Sequence, residues 1–233
     1  MTDLEGLTDQ AEANYIAGLA AGPQQDRMAP PGPNVGDAAP DLTLLDSSGA
    51  EVALSSFWAD KPATFLFWRH FGCGCGFERA ERLAEERSAL AEAGTKVVLI
   101  GMGDPVRTAD YAKVHQISEP FLCDPERRAY AAYGVPEGNM LQAVYDDEDI
   151  LLGGPEDWRM ILDFKRSKGT RLVDSGWQLP GEFVIDTSGH IRMAYRYQYC
   201  DNFPDARLAV SAVKESNAGL DPMRGSTMGP ETT

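Results

Sequence analysis

The sequence predicts an α/β domain with extra segments at its ends and one insertion. Short apolar runs that suit buried strands alternate with helical patterns through the middle of the chain, and a turn-centred pair of strands lies at each end of this region. With 233 residues, 43% of them hydrophobic, the chain is long enough for one decorated domain with its own core.

The first 34 residues are predicted to form a helix and a linker. Leu4 to Ala21 suits an amphipathic helix, and the next residues cannot continue it because they are rich in proline. Residues 1–10 are acidic, with neither a basic start nor an apolar core, so we expect no targeting segment and, by default, a cytoplasmic location.

The predicted domain, residues 35–215, opens with a hairpin and a buried strand. Leu42–Leu45 and Val52–Leu54 flank a turn-forming Asp-Ser-Ser-Gly sequence. The apolar run Ala63–Trp68 then predicts a central strand. From Cys75 to Ala93, apolar and small residues recur on one helical face, and Gly94 suits the end of that helix.

Two more strand and helix units follow. The β-branched run Lys96–Gly101 is typical of a buried parallel strand, and Asp104-Pro105 is a good helix start. Phe121–Cys123 predicts a third short strand, after which Asp124-Pro125 predicts a helix that ends at Gly134.

The pattern weakens between Pro136 and Leu179, which we interpret as an insertion with some helix that borders the site. Within it, Asp146–Asp149 is most simply a solvated acidic loop. A second hairpin is predicted over residues 181–186 and 191–197, then a closing helix over 204–214. Residues 216–233 are rich in Gly, Pro, Ser and Thr, which predicts a disordered tail.

Charge and composition limit the partners. A net charge of −15 and a pI near 4.5 oppose binding to nucleic acid or to anionic lipid, and no apolar stretch approaches the length of a membrane span. Gly101-Met102-Gly103 is too short a match to a dinucleotide fingerprint, so no organic cofactor is expected.

The most informative motif is Cys73-Gly74-Cys75, which lies between the predicted central strand and the helix after it. Amide N–H groups and the dipole at the start of a helix stabilise a thiolate, and Arg69 and His70 can add positive charge. The motif therefore points to thiol chemistry.

Three sequence segments carry a resemblance to a known family. Val35-Gly36-Asp37-Ala38-Ala39-Pro40-Asp41-Leu42-Thr43-Leu44 is similar to the opening signature of the peroxiredoxin-like (AhpC/TSA-type) family of the thioredoxin superfamily. Phe67-Trp68-Arg69-His70-Phe71-Gly72-Cys73 resembles the Phe-x-Arg-x-x-Gly-Cys-x-x-Cys motif of one subgroup. The resemblance implies a thioredoxin-like fold, with a central mixed sheet flanked by helices, and a nucleophilic Cys73. The third segment, Leu179-Pro180-Gly181-Glu182-Phe183-Val184-Ile185-Asp186, resembles the one that carries the superfamily's cis-proline, which implies a cis-proline at Pro180.

Two departures from the family pattern bear on the chemistry. His70 stands where classical members place a Thr or Ser that activates peroxide, and Gly76 stands where the subgroup has its second cysteine. We expect Arg69 to orient an anionic substrate oxygen and His70 to move a proton, the alternatives being a salt bridge for Arg69 and simple packing for His70.

The cysteines are expected to have different roles. Cys73 attacks the substrate and Cys75 resolves the adduct as a disulfide, with Cys200 as the alternative resolving thiol. Cys123, in an apolar strand, is expected to be a buried inert thiol.

The predicted substrate pocket contains residues near the motif, although the aromatic ones also suit a hydrophobic core. They are Trp68, Phe71, Pro180 and Cys200.

The sequence favours a thiol-dependent oxidoreductase that reduces a peroxide, a disulfide or a related small organic oxidant. Its electrons would come from an external thiol, either a thioredoxin-like protein or a low-molecular-weight thiol. One alternative is a thiol-dependent enzyme that modifies a specialised metabolite or a lipid endoperoxide. Another is a Cu(I)-binding protein using Cys73, Cys75 and His70. Exposed sheet edges are compatible with a homodimer, although no sequence feature defines its interface.

Overall fold

The computed structural model describes residues 3–24, 32–144, 152–167 and 175–220. Its strands are β1 (Thr43–Asp46), β2 (Glu51–Ala53), β3 (Ala63–Phe67), β4 (Lys96–Gly101), β5 (Phe121–Cys123), β6 (Gly181–Ile185) and β7 (Ile191–Arg196). Its helices are α1 (Leu4–Ala21), α2 (Ser55–Trp58), α3 (Gly74–Ala93), α4 (Pro105–Val114), α5 (Arg128–Ala132), α6 (Met140–Val144), α7 (Pro155–Ser167) and α8 (Ala206–Asn217). In the part of the chain that the structure describes, no helix is both long and apolar enough to cross a membrane.

The strands form one mixed sheet in the order β2-β1-β5-β4-β3-β6-β7. The central strand β3 pairs in parallel with β4 and antiparallel with β6, so that Phe67 lies between Ile100 and Gly181. Hairpins β1-β2 and β6-β7 form the two edges. The predicted α/β fold with a central mixed sheet is therefore confirmed.

Helices cover both faces of the sheet because β3 alternates its side chains between two cores. Phe65 and Phe67 pack in the core that also contains residues of α2 and α5. Leu66 packs in the opposite core, with residues of α3, α4 and α8. All residues of β3 are buried, which explains why its sequence is a continuous apolar run.

The helix boundaries follow the predicted capping signals in two clear cases. Gly94 ends α3 with a φ of 85°, a left-handed conformation that favours glycine. Asp104 precedes α4, and its carboxylate accepts hydrogen bonds from the backbone N–H groups of Val106 and Arg107.

The helix predicted to start at Asp124-Pro125 is shorter than expected, because α5 begins only at Arg128. Arg127 adopts a left-handed conformation with φ of 57°, which interrupts helical geometry before that point. The buried carboxylate of Asp124 accepts hydrogen bonds from the N–H groups of Arg128 and Ala129 and so caps the short helix. Burial raises the pKa of Asp124 above its usual value.

The insertion and α1 form a third hydrophobic cluster, which the sequence did not predict. Tyr15 and Leu19 of α1 pack with Trp158 and Leu162 of α7 and with Trp177. The indole N–H of Trp177 donates to the Gly18 carbonyl at 2.7 Å. The N-terminal helix is therefore packed against the insertion. Residues 146–149 and most of the predicted tail lie outside the described residues.

Candidate active site

The Cys-Gly-Cys motif lies where β3 and α3 are joined by a short turn. Cys73 is the residue before the first turn of α3, and its backbone N–H donates to the carbonyl of His70 at 3.1 Å. Cys73 is partly exposed, whereas Cys75 is buried with 7% exposure. The more exposed residue of the two is thus the predicted nucleophile, at the positive end of a helix.

The structure brings three cysteines together. Cys73 and Cys75 are joined as a disulfide, with Cα atoms 5.3 Å apart. The sulfur of Cys200 lies within 4.8 Å of both of the other sulfurs. Cys200 is not part of a disulfide, is only 1% exposed, and its backbone N–H donates to the carbonyl of Gln142 in α6. The prediction that put Cys200 next to the motif therefore agrees with this arrangement.

The position of the second cysteine has a packing reason. A Cβ atom at Gly76 would lie 3.1 Å from the hydroxyl of Tyr111 and 3.3 Å from the indole nitrogen of Trp68. Those two groups are hydrogen-bonded to each other at 3.1 Å in the core. A cysteine at position 76 would press on this pair. Cys75 forms its disulfide with Cys73 and leaves the hydrogen bond between Trp68 and Tyr111 in place.

Arg69 is buried and holds backbone carbonyls of the insertion. Its guanidinium donates to Gln178 at 2.8 Å, to Ala143 at 2.9 Å and to Ser175 at 3.4 Å. Its contacts join the motif to α6 and to the segment before β6.

His70 is also buried, with 3% exposure, and packs under α1. Its ring lies edge-on to that of Tyr15, with 5.1 Å between centroids. Neither a histidine nor a carboxylate of the described ranges joins the group formed by the three cysteine sulfurs. The third candidate metal ligand beside Cys73 and Cys75 is therefore the sulfur of Cys200, whereas the sequence suggested His70.

Trp68 and Phe71 occupy the hydrophobic core, which differs from the predicted pocket. Trp68 is 2% exposed and Phe71 is fully buried, and both pack around Tyr111. The Phe71 ring stacks on that of Tyr111 with 4.2 Å between centroids. These two aromatic residues thus help to fix the turn between β3 and α3, because burying their side chains stabilises the fold.

The cis-proline expected at Pro180 is wrong, since no peptide bond in the described segments is cis. Pro180 is buried directly before β6, and its carbonyl accepts a hydrogen bond from Tyr197 at 3.2 Å. The neighbouring Leu179 N–H donates to Pro136. These bonds hold the segment in a trans path that continues into the strand.

Sequence reasoning missed a buried polar network that anchors α3. Arg79 donates to Glu182 at 2.8 Å and to Glu86 at 2.9 Å, and the hydroxyl of Tyr197 donates to Glu182 at 2.6 Å. Burial disfavours the charge of Arg79, but the two carboxylates raise its pKa above the usual value. Arg79 lies six residues after Cys73 in a helix rich in charged residues, so spacing alone did not distinguish it from the exposed ones.

Cys123 behaves as a structural thiol. It is 2% exposed, and its sulfur donates to the hydroxyl of Thr108 at 3.4 Å. Burial raises the pKa of the Cys123 thiol to about 11, with the Thr108 hydrogen bond opposing part of that change. Its predicted role as a buried thiol agrees with this setting.

A mixed sheet covered by helices, with a dithiol motif between a central strand and its helix, defines a protein of the thioredoxin-fold class. The model of the AhpC/TSA family matches residues 35–194, and the chain belongs to that family. The predicted family is therefore confirmed.

Two named relatives share this part of the sequence. Thioredoxin-like protein AAED1, chloroplastic, of Arabidopsis thaliana is 28% identical over 158 residues, which cover 66% of this chain and 62% of that protein. Peroxiredoxin-like 2C of Homo sapiens is 29% identical over 166 residues, covering 64% of this chain and 74% of that protein. The chain thus spans less than two thirds of the plant relative's length.

Solved structures support the fold. The crystal structure of peroxidoxin BcpB from Mycobacterium tuberculosis aligns with a TM-score of 0.54 at 20% identity, covering 83% of this chain and 99% of that one. Thiol peroxidase from Chromobacterium violaceum aligns with a TM-score of 0.53 at 18% identity, covering 80% and 89%. These identities are low, so the likeness concerns the fold.

Proposed function

We propose that the protein is a thiol-dependent oxidoreductase that reduces a peroxide or a disulfide through Cys73. The observation that carries the proposal is a partly exposed cysteine at the start of α3, paired in a disulfide with Cys75 two residues later, in a chain of the AhpC/TSA family. The family and the relatives do not favour the metabolite-modifying or the Cu(I)-binding alternative as the main function.

The chemistry with a peroxide balances in three steps. The Cys73 thiolate attacks one peroxide oxygen, the O–O bond breaks, and the other oxygen leaves as an alcohol or water after taking a proton. Cys75 then attacks the Cys73 sulfenic acid, which forms the disulfide and releases water. Two external thiols reduce that disulfide and become a disulfide themselves.

With a disulfide as substrate, the Cys73 thiolate attacks one sulfur and the other leaves as a thiolate. Cys75 then displaces the second half of the substrate and closes the same Cys73–Cys75 bond. Both substrates therefore end in one oxidised form of the protein.

Catalytic turnover tests the proposal. Purified protein is given hydrogen peroxide or oxidised glutathione, with an excess of a monothiol donor, and substrate loss is followed for wild type, Cys73→Ser, Cys75→Ser and Cys123→Ser. We expect Cys73→Ser to lose at least 100-fold in rate, as is usual when a nucleophile is removed, and Cys123→Ser to match wild type. Wild-type turnover of both substrates by Cys73→Ser would refute the assignment of Cys73 as the nucleophile.

The cytoplasmic location and the external thiol donor belong to the same proposal. An AhpC/TSA chain with an internal disulfide requires a reductant for each cycle, and a reducing compartment supplies thiols. A small thiol and a thioredoxin-like protein are compared by adding each donor alone to the turnover assay.

A further inference from the structure

Cys73, Cys75 and Cys200 form a compact group of sulfur atoms that the oxidoreductase chemistry does not require. Only two cysteines are needed to complete a disulfide cycle, yet the third sulfur lies within 4.8 Å of both others. Cys200 follows β7, far along the chain from the motif, and is held by a hydrogen bond of its backbone N–H to Gln142 at 2.9 Å. The fold itself therefore places the third sulfur.

The spacing suits one metal ion bound to three sulfurs. Thiolate–metal bonds of about 2.3 Å in a trigonal plane put neighbouring sulfurs roughly 4 Å apart. Once the disulfide is reduced, Cys73 and Cys75 have to separate to that distance, and Cys200 already lies within 4.8 Å of both. The change is on the scale of a side-chain rotation.

The available ligands distinguish between metals. Within the described ranges, the group contains three sulfurs and neither a histidine nor a carboxylate. Structural zinc sites are almost always four-coordinate, whereas soft thiolate ligands select Cu(I). A site with sulfur alone and three ligands therefore favours Cu(I) over Zn²⁺.

The surroundings help to offset the negative charge of such a site. Three thiolates with one Cu(I) carry a net charge of −2. Cys73 and Cys75 lie at the N-terminal end of α3, a helix of 20 residues, where backbone N–H groups and the helix dipole favour negative charge. Cys75 and Cys200 are buried at 7% and 1% exposure, which protects bound Cu(I) from water.

We propose that the reduced protein binds one Cu(I) ion through Cys73, Cys75 and Cys200. The disulfide is first reduced by two external thiols, which become a disulfide. Cu(I) then forms three Cu–S bonds as the three thiols release three protons, and copper keeps its oxidation state. The inference goes beyond the proposed function, because it needs reduced cysteines and no turnover of any substrate.

The direct test is anaerobic titration of the reduced full chain with Cu(I) in competition with the chelator bicinchoninate, followed by X-ray absorption at the copper edge. We expect one tightly bound Cu(I) per chain and three sulfur neighbours at about 2.3 Å. Two sulfur neighbours of copper in the wild-type protein, or uptake of several loosely held copper ions, would overturn the proposal.

Two cysteine variants form a matched pair. Cys200→Ser should lose at least ten-fold in affinity and show two sulfur neighbours, whereas Cys123→Ser should keep the wild-type affinity and coordination. Circular dichroism checks that both variants are folded, and Cys200→Ala replaces Cys200→Ser if that variant is not. Equal affinity for wild type and a folded Cys200 variant would contradict the third ligand.

The oxidised protein and Zn²⁺ provide two further tests of the proposal. With Cys73 and Cys75 in a disulfide, Cys200 alone of these three cysteines can bind a metal ion, so the oxidised protein should bind Cu(I) poorly. Zn²⁺ is titrated against its own colorimetric chelator, and tight binding of Zn²⁺ with four ligands would contradict the Cu(I) assignment.

The two proposals fail separately. A chain that binds Cu(I) through three sulfurs but reduces neither peroxide nor disulfide would overturn the proposed function alone. A chain that turns over substrate through Cys73 but binds no Cu(I) would overturn the metal site alone.

Discussion

Cys73, Cys75 and Cys123 carry the same side chain in three environments, and those environments decide what each can do. Cys73 is partly exposed at the start of a helix, and Cys75 is buried against it in a disulfide. Cys123 lies inside the sheet, where burial raises the pKa of its thiol to about 11. Thiol reactivity follows the thiolate fraction and access, so the motif is set apart from the core cysteine.

The raised pKa of Cys123 predicts slow alkylation. At pH 8, a pKa of about 11 leaves roughly one thiol in a thousand as thiolate, and this fraction rises about ten-fold with each unit increase in pH until the pH nears the pKa. In the reduced protein, iodoacetamide should therefore label Cys123 far more slowly than Cys73, as peptide mass spectrometry from pH 7 to pH 10 measures. Labelling in urea, where burial is lost, is the control, and equal rates in the folded protein at pH 7 would contradict this account.

Removing Cys75 should reveal how close Cys200 is. In Cys75→Ser, one equivalent of hydrogen peroxide is expected to give a Cys73–Cys200 disulfide, because the Cys200 sulfur lies within 4.8 Å of the Cys73 sulfur. Non-reducing peptide mass spectrometry identifies the bond, and the double variant Cys75→Ser with Cys200→Ser is the control. Accumulation of Cys73 sulfenic or sulfinic acid in the single variant would argue against access of Cys200 to Cys73.

At the scale of elements, the site depends on how the insertion is tied to the motif. Arg69 follows β3 and bonds the carbonyl of Ala143 in α6, and Gln142 of the same helix accepts the N–H of Cys200. The helix α6 therefore links a residue beside Cys73 to the third cysteine. We infer that Arg69 acts on the site by positioning this helix, which its hydrogen bond to Ala143 supports.

Replacing Arg69 should destabilise the protein. Arg69→Ala leaves three carbonyls in a buried region without their donor, so we expect the free energy of unfolding to fall by about 2–4 kcal/mol. Urea denaturation of wild type and variant measures the change. Arg207→Ala, at an exposed position, is the control and should leave the urea midpoint unchanged. An equally small shift for Arg69→Ala would contradict the structural role of its guanidinium.

Local patterns predicted much of the fold because their causes are local. The continuous apolar run of β3, the β-branched run of β4 and the glycine after α3 each reflect burial or backbone geometry within a few residues, and the structure has all three elements. The start of α5 was misplaced because it depends on a single left-handed residue, Arg127, which no residue pattern marks.

Most contacts between distant segments could not be predicted in this way. Cys200 was expected near the motif, but its distance from the other two sulfurs depends on the path of β7 and α6. The Arg79–Glu182 pair was not expected, because it depends on how α3 lies on the sheet. Trp68 and Phe71 were expected at a pocket because they precede Cys73 closely in sequence. Both side chains instead lie in the core between the sheet and the helices α3, α4 and α8. Proximity in sequence to a reactive residue therefore did not predict an exposed side chain.

In the whole molecule, we expect Cys73 to be oxidised first and Cys75 to resolve it as a disulfide. The most direct measurement treats the reduced full chain with one equivalent of hydrogen peroxide and maps every cysteine by non-reducing peptide mass spectrometry, with Cys73→Ser in parallel. We expect a near-stoichiometric Cys73–Cys75 disulfide in wild type and no disulfide at this dose in the variant. Cysteines that stay reduced in wild type until a large excess of peroxide, or a variant that oxidises as readily as wild type, would contradict it.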